Sequence, residues 1–194
     1  MIKSVCVFCG SSNGKRPEYA QGAAHLGAEL ARRGLKLVYG GGDVGTMGIL
    51  ARATLAGGGK VTGVIPRKLY ELVDHVELTE LVVAGDMHER KARMYDAADA
   101  FIALPGGIGT LDEFFEAWTW RGIGYHEKPV GMLDVAGYYL PLLAFLNSMV
   151  DEGFLGREQL EDIIVGAEAG ELLDRLAAKG PLTVFKRPER SRAL

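Results

Sequence analysis

The strongest constraint on the fold is the alternation of short, continuously apolar runs with longer segments of helical periodicity. Residues 100–104, for example, read Ala-Phe-Ile-Ala-Leu and lack the polar alternation of a strand with one wet face. Strands of this kind are covered on both faces, and strands that alternate with helices form parallel sheets with helices on both sides. The sequence therefore predicts a single α/β domain, a Rossmann-like doubly wound fold with a mostly parallel sheet.

The same periodicities assign the individual elements. We predict strands at residues 4–8, 36–39, 61–65, 81–83, 100–104 and 130–133. We predict helices at residues 18–33, 46–56, 87–97, 110–121, 138–152, 157–163 and 168–178. The domain is expected to span residues 1–180, and residues 181–194 are expected to form a C-terminal tail.

Composition and charge exclude several classes of protein and partner. The chain has 194 residues, of which 48% are hydrophobic and 24% charged, the balance of an ordinary globular protein. A formal net charge of −3 gives no broad basic surface of the kind that binds nucleic acid. The longest apolar run, residues 138–146, is far shorter than the roughly 20 residues that a membrane helix needs. We therefore expect neither nucleic acid nor a membrane as a partner.

The first residues and the two cysteines indicate the compartment. The apolar run near the N-terminus stops at Gly10, too early for the core of a secretory signal. Cys6 and Cys9 form a C-x-x-C motif, but Cys6 lies inside a predicted strand rather than at the start of a helix. Because side chains three apart in a strand point to opposite faces, a redox pair is disfavoured. The protein is expected to be cytoplasmic.

Four loops follow predicted strands and lead into helices, where parallel sheets bind their ligands. These loops are residues 9–14, 39–45, 85–91 and 105–110. The second and fourth are rich in glycine, which lets backbone N–H groups approach an anion at the start of a helix. They predict a phosphate-bearing ligand, and the alternative is that the glycines only form tight turns. Candidate contacts in the first two loops are Gly10, Ser11, Gly41 and Gly42.

Neither glycine loop predicts a nucleotide cofactor. Residues 40–45 satisfy G-x-G-x-x-G, but a dinucleotide site also needs an acid at the end of the next strand. That strand is followed instead by Pro66, Arg67 and Lys68. No P-loop motif occurs, and the four histidines lack the spacing of metal ligands. We expect no cofactor and no metal.

One arginine lies where a charge is unexpected. On the predicted helix that starts near Met87, Arg90 is three residues after Met87 and four before Met94, within the apolar stripe. Lys91 lies at the edge of that stripe. A charge on an inward face must find a carboxylate or a phosphate, because an unpaired buried charge is too costly. Arg90 is therefore either a ligand-binding residue or one half of a structural ion pair.

The following helix shows a second unusual face. Its predicted core stripe includes Phe114 and Trp118, whereas Glu113 lies on another face together with Trp120. A fully solvated face seldom has a tryptophan, so this face is expected to line a pocket or a subunit contact. Glu116 is expected to be a solvated acid.

Residues 105–113, Pro-Gly-Gly-Ile-Gly-Thr-Leu-Asp-Glu, match the P-G-G-x-G-T-x-x-E signature of the Lonely Guy (LOG) family. Further matches are Cys9-Gly-Ser-Ser12, Tyr39-Gly-Gly-Gly42, Met87-His-Glu-Arg-Lys91 and Gly137-Tyr-Tyr139. From about residue 5 to residue 154 the sequence therefore resembles this family of cytokinin riboside 5′-monophosphate phosphoribohydrolases, long mislabelled as lysine decarboxylases.

The resemblance implies a reaction and the residues that perform it. The reaction is hydrolysis of the N-glycosidic bond of a purine riboside 5′-monophosphate, of cytokinin type or AMP, to free base and ribose 5-phosphate. Arg90 and Glu113 match the catalytic pair. Candidate substrate contacts along the matched segments are Glu71, Lys91, Gly107, Ile108, Gly109, Thr110, Leu111, Asp112 and Thr119. The resemblance also implies a homodimer with its sites near the interface.

The sequence departs from the family pattern at two positions, and the second departure leaves the choice of base open. Thr46 replaces a more common leucine, and Gly122 replaces a glutamine that many relatives have on the base side. AMP and prenylated AMP therefore both remain as substrates, and a housekeeping AMP nucleosidase is not separated from a cytokinin-producing enzyme. The alternative function is a non-catalytic nucleotide-binding module, which would share the glycine loops but would not need Arg90 or Glu113.

Overall fold

A seven-stranded parallel sheet forms the centre of the protein in the computed structural model, which describes residues 1–72 and 77–180. The strands are β1 (Ser4–Phe8), β2 (Lys36–Tyr39), β3 (Val61–Pro66), β4 (Glu80–Ala84), β5 (Ala100–Ala103), β6 (Val130–Leu133) and β7 (Ile164–Gly166). Their order is β4-β3-β2-β1-β5-β6-β7, and every neighbouring pair is parallel. The predicted α/β fold is therefore confirmed.

Helices cover both faces of the sheet. They are α1 (Pro17–Arg32), α2 (Gly45–Ala56), α3 (Arg67–Tyr70), α4 (Met87–Asp96), α5 (Ile108–Gly122), α6 (Leu140–Asp151), α7 (Arg157–Glu161) and α8 (Ala169–Ala178). One apolar layer packs α1, α2 and α8 against the sheet, and the other packs α4, α5, α6 and α7. None of the helices within the described ranges is long and apolar enough to cross a membrane.

The central strand β1 shows why helices must cover both faces of the sheet. All five of its residues are buried, with Val5 and Val7 in one apolar layer and Cys6 and Phe8 in the other. Full burial of a large apolar side chain contributes about 1.5 to 3 kcal/mol, so exposing either face would be costly. This is the physical reason for the absence of polar alternation in its sequence.

The two cysteines lie on opposite sides of the sheet, as their spacing predicts. Cys6 belongs to the layer of α4 and α5, whereas Cys9 belongs to the layer of α1 and α2. Both are unpaired and buried. Burial raises the pKa of each thiol, which keeps both protonated and unreactive.

The structure adds elements that the sequence patterns did not predict. Strand β7 has three residues and lies between two segments predicted as helices, too short to show a period of its own. The single turn α3 follows Pro66 directly and buries none of its residues, so it has no apolar stripe. The other predicted strands and helices are present, with ends that differ by up to two residues. The predicted tail, residues 181–194, lies outside the described residues.

The strand order creates a crevice beside β1. The chain builds β1 to β4 toward one edge of the sheet and then returns to place β5 on the other side of β1. The loops after β1 and β5 therefore leave the sheet toward opposite faces. A crevice at this switch in strand order, at the carboxyl ends of the strands, is where parallel α/β proteins bind ligands.

A buried ion pair joins the C-terminal end of α5 to the segment that precedes β7. Arg121 Nε and Nη2 donate to the two carboxylate oxygens of Asp162 at 2.5 and 3.0 Å, and both side chains are almost fully buried. Arg121 also donates to the backbone carbonyl of Glu127, and Lys179 lies 3.1 Å from Asp162. Burial opposes ionisation of Asp162, but the hydrogen bonds from Arg121 and Lys179 outweigh it and lower its pKa.

Replacing Asp162 by alanine is expected to lower the free energy of unfolding by about 3 to 5 kcal/mol, because it leaves Arg121 buried without its carboxylate. Urea unfolding measures the change, and Asp174→Ala is the control, since Asp174 pairs with Arg33 but is 70% exposed. That control should cost no more than about 1 kcal/mol. Because the pKa of Asp162 is lowered, the cost of Asp162→Ala should shrink as the pH falls below about 4. Equal effects of the two substitutions would contradict the assignment.

Candidate functional site

Three loops meet at the crevice beside β1. The backbone N–H of Gly10, just after β1, donates to Thr46 Oγ1 at 3.0 Å, and that hydroxyl lies 3.1 Å from the Gly10 carbonyl. A Cβ on Gly10 would lie 3.4 Å from Cα of Gly106, in the loop after β5. Gly45 has a φ of +56°, and a side chain there would overlap the backbone of Ser11 and Ser12. The glycines thus let these loops approach one another closely.

The two glycine loops differ in what surrounds them. A Cβ on Gly40 would collide with the Arg90 guanidinium, and a Cβ on Gly41 would lie 3.0 Å from the Cβ of Ile65. At Gly107 and Gly109, in contrast, a Cβ would meet no atom within 4 Å, so both face open space. The first loop is therefore packed against protein, as the tight-turn interpretation expects, whereas the second is open to a ligand.

The open loop leads into the N-terminus of α5. Gly107 is the residue before the helix, and without a side chain it provides no cap for the first N–H groups. Those groups, of Ile108, Gly109 and Thr110, have no intrahelical acceptor and lie at the positive end of the helix dipole. Gly107, Ile108 and Gly109 are exposed, and Thr110 is buried with its hydroxyl against Gly106. This arrangement suits an anion such as phosphate.

Beside this loop lies a buried pair of opposite charges. Arg90 on α4 is 7% exposed and Glu113 on α5 is 8% exposed. Arg90 Nη1 donates to Glu113 Oε1 at 2.5 Å, and Nε donates to the carbonyl of Val64 at 3.0 Å. The sequence spacing predicts an inward Arg90 that meets either a carboxylate or a phosphate, and the structure shows it buried against a carboxylate. Gly40 leaves the space that the rest of the guanidinium occupies.

The environment of Glu113 changes its acidity. Burial raises its pKa above the usual 4.5, while the nearby Arg90 guanidinium opposes the rise. A carboxylate that is desolvated and paired in a crevice is typical of catalytic acids and bases, and also occurs in structural ion pairs.

A second polar cluster surrounds Lys91, the residue after Arg90 on α4. Lys91 Nζ is 3.2 Å from Asp112 Oδ2 and 3.1 Å from Glu116 Oε2. The Tyr95 hydroxyl also donates to Glu116, at 2.7 Å. Burial would lower the pKa of Lys91, but Glu116 and Asp112 outweigh it and raise the pKa, so the lysine stays charged. The prediction that Glu116 is solvated is wrong, because its side chain is only 26% exposed and is bonded by both Lys91 and Tyr95.

The remaining candidate residues differ in how far their side chains are exposed. Ser11 is exposed beside Gly10, Gly42 is buried, and Leu111 is half-buried in an apolar layer. Thr119 is exposed on α5, one turn after Glu116, and Glu71 is exposed directly after α3. Among the described residues, neither Glu71 nor Thr119 has a hydrogen bond or ion pair with Arg90 or Glu113.

The face of α5 that includes Glu113 and Trp120 is partly buried by other parts of the protein. Thr110 and Ala117 are buried with Glu113, and Trp120 is half-buried with its ring edge-on to Tyr95 at a centroid distance of 5.1 Å. Trp120 also contacts Tyr125, whose ring is 5.9 Å away and 77% exposed. This face therefore continues from the buried charge pair to an exposed aromatic surface.

Two tyrosines that contact the open loop are not predicted as site residues by the sequence. The Tyr138 hydroxyl donates to the carbonyl of Gly106, and the Tyr139 hydroxyl donates to that of Leu104, each at 2.6 Å. They follow β6 and lie more than thirty residues from their acceptors. No local pattern indicates a contact of such range, and the family resemblance of the Gly-Tyr-Tyr triplet is the one signal that marks these residues.

Comparison with known proteins finds a family whose model matches this chain. A family model described as possible lysine decarboxylase matches residues 47–176. Cytokinin riboside 5′-monophosphate phosphoribohydrolase LOG7 of Arabidopsis thaliana is 48% identical over 181 residues, which are 93% of this chain and 83% of the relative. The probable phosphoribohydrolase LOGL5 of Oryza sativa subsp. japonica is 49% identical over 177 residues, which are 90% of this chain and 72% of the relative.

Solved structures share the fold at much lower sequence identity. The molybdenum cofactor binding protein from Rippkaea orientalis has a TM-score of 0.70 and 21% identity, over 92% of this chain and 97% of that chain. The molybdenum cofactor carrier protein from Chlamydomonas reinhardtii has a TM-score of 0.69 and 21% identity, over 92% of this chain and 100% of that chain. At this identity the likeness shows the fold alone.

Removing the charge of Arg90 is expected to raise the pKa of Glu113 further, by about 1 to 3 pH units, because a guanidinium in contact lowers a carboxyl pKa by that amount. Carboxyl-carbon NMR titration of Arg90→Met measures it. The control is Arg93→Met on the same helix, where Arg93 pairs with the more exposed Glu89. That change should raise the lowered pKa of Glu89 less, because the Gly85 N–H also stabilises this carboxylate. An unchanged Glu113 titration in Arg90→Met would contradict the pairing.

Proposed function

The chain belongs to the possible lysine decarboxylase family, which includes the cytokinin riboside 5′-monophosphate phosphoribohydrolases, and from this premise we propose its reaction. It hydrolyses the N-glycosidic bond of a purine riboside 5′-monophosphate and releases the free base and ribose 5-phosphate. The observation that supports this best is the buried Arg90–Glu113 pair beside the open glycine loop. A module that only binds nucleotides would not need a desolvated carboxylate at this position.

The chemistry requires a negative group near the sugar. As the bond between the anomeric carbon and the base nitrogen breaks, its electron pair leaves with the base and positive charge develops on the ribose. In our proposal the Glu113 carboxylate stabilises that charge and takes a proton from the water that attacks the anomeric carbon. The departing base gains a proton from solvent, and Glu113 later releases its own proton to solvent, so that one water molecule is consumed in total. Arg90 keeps Glu113 ionised and orients the substrate or stabilises the leaving base.

The substrate phosphate has a separate role, away from the reacting bond. In this proposal it binds the open loop at Gly107–Thr110, where backbone N–H groups and the α5 dipole favour an anion. Binding energy from this remote group positions the anomeric carbon against Glu113. Nucleosides without the phosphate should therefore react far more slowly. Lys91 follows Arg90 on α4, and its charge is paired with Asp112 and Glu116.

We further propose that the protein is a homodimer. Helix α6 begins Leu-Pro-Leu-Leu-Ala-Phe-Leu, yet Leu146 is its one buried residue, while Leu140 and Phe145 are each 61% exposed. The aromatic surface of Trp120 and Tyr125 adds to the exposed apolar area. Exposed surfaces with several large apolar side chains are typical of subunit interfaces, which supports the proposal.

A cytoplasmic location is part of the same proposal. Cys6 and Cys9 are both unpaired, as is usual for proteins of a reducing compartment. The choice between AMP and a prenylated AMP defines whether the enzyme is an AMP nucleosidase or produces active cytokinin.

Incubation with AMP and, in parallel, with N6-isopentenyl-AMP is expected to yield free base and ribose 5-phosphate, detected by chromatography. Glu113→Gln should lower kcat about 10²- to 10⁴-fold, the usual contribution of a general base. Because burial raises the pKa of Glu113, kcat/KM should fall in acid with a midpoint above 4.5. Glu158→Gln, at an exposed position on α7, is the control. The ratio of the two kcat/KM values identifies the preferred base.

Intact nucleotides after incubation at high enzyme concentration would contradict the hydrolase proposal. Binding of the nucleotides under those conditions would favour the non-catalytic module instead.

Phe145→Glu is expected to weaken the dimer at least about tenfold, because it places a charge in an apolar interface. Sedimentation equilibrium measures the dissociation constant. Leu72→Glu is the control, since Leu72 is 71% exposed and precedes β4 at the far edge of the sheet. A monomeric wild-type protein, or a dimer that both variants leave unchanged, would contradict this interface.

A further inference from the structure

Two neighbouring tyrosines donate hydrogen bonds to the loop between β5 and α5. The Tyr139 hydroxyl donates to the Leu104 carbonyl and the Tyr138 hydroxyl donates to the Gly106 carbonyl, both at 2.6 Å. Pro105 lies between the two acceptors. Each tyrosine thus contacts the loop through one carbonyl oxygen, on either side of the proline.

The contact at Gly106 has a consequence for the next residue. The Gly106 carbonyl and the Gly107 N–H belong to one peptide unit, and in a trans peptide they point in opposite directions. A peptide between two glycines has little steric preference, because neither neighbour has a Cβ to resist rotation of the unit. A hydrogen bond to the carbonyl therefore fixes the direction of the N–H. If that bond is lost, the peptide is free to turn its oxygen toward the ligand.

We propose that Tyr138 is a positioning residue for the phosphate-binding loop. Its hydroxyl holds the Gly106–Gly107 peptide so that the Gly107 N–H joins the donors at the start of α5. A flipped peptide would instead present a carbonyl oxygen to the phosphate and repel it. This inference rests on the proposed function, in which the open loop binds the 5′-phosphate of the substrate.

Tyr138 is itself held in place from two sides. Its ring lies edge-on to Tyr19 at 5.5 Å and to Tyr139 at 5.1 Å. The turn before it includes Ala136, whose φ of +56° is uncommon for a residue other than glycine. The Ala136 carbonyl accepts a hydrogen bond from Arg16 Nη1 at 3.2 Å. Helix α1, the loop before it and the loop after β6 together therefore hold the Tyr138 hydroxyl against the loop after β5.

The neighbouring contact cannot have the same role. Tyr139 bonds the carbonyl of Leu104, whose peptide partner is Pro105 and has no N–H to orient. That bond is buried, with Tyr139 only 1% exposed, whereas Tyr138 is 38% exposed. Loss of the Tyr139 hydroxyl leaves a buried carbonyl without a partner, which destabilises the fold. Tyr139 is thus a matched control that separates stability from positioning.

The test compares Tyr138→Phe with Tyr139→Phe, each of which removes one hydroxyl and keeps the ring. In Tyr138→Phe, KM for AMP is expected to rise about tenfold with kcat within about twofold, the effect of one hydrogen bond. The dissociation constant for inorganic phosphate, measured by calorimetry, should rise by the same factor, and that for adenosine should not change. Tyr139→Phe should lower the midpoint of urea unfolding without this selectivity for phosphate.

Equal effects of Tyr138→Phe on AMP and adenosine, or no effect on phosphate binding, would overturn the positioning role. So would a wild-type protein that binds no phosphate. If the wild-type protein hydrolyses no nucleotide, the proposed function fails, but the phosphate dissociation constants of the two variants still decide the role of Tyr138.

Discussion

The burial of Arg90 against Glu113 is the interaction on which the arrangement of the site depends. Removing two charges from water costs several kcal/mol for each ion, and the cost is offset only when the remaining donors and acceptors are satisfied. Val64 supplies a carbonyl to the guanidinium, and Gly40 supplies the space for it. The contacts of the Arg90 side chain therefore fix four separate elements relative to one another: β3, the loop after β2, α4 and α5.

Helix α5 has a buried ionic contact at each end. Glu113 lies in its second turn and pairs with α4, whereas Arg121 lies in its last turn and pairs with Asp162 before β7. A cation in the last turn also interacts favourably with the helix dipole. The helix is thus tied to both halves of the sheet, and its first N–H groups keep a fixed direction toward the crevice.

Much of this arrangement could be predicted because it follows from local spacing. Continuous apolar runs indicated strands with two covered faces, and the distance of Arg90 from Met94 placed it on the inward side of its helix. The partners of Lys91 could not be predicted, because Asp112 and Glu116 reach it from a different helix and no pattern within α5 marks those contacts. The two glycine loops looked alike in sequence, since composition does not tell whether protein or open space surrounds Gly40 and Gly107.

The place of β1 between β2 and β5 also governs when the site can form. Ser4 at the start of β1 bonds the Asp99 carboxylate through both its N–H and its hydroxyl, across 95 positions of the chain. Contacts of such long range close late, because the entropy of the intervening loop is lost before they form. During synthesis, Arg90 therefore emerges before its carboxylate partner Glu113, which lies 23 positions later in the chain. Strand β5 and the start of α5 must follow before that charge can be buried, so the crevice forms only after the chain has returned to the other side of β1.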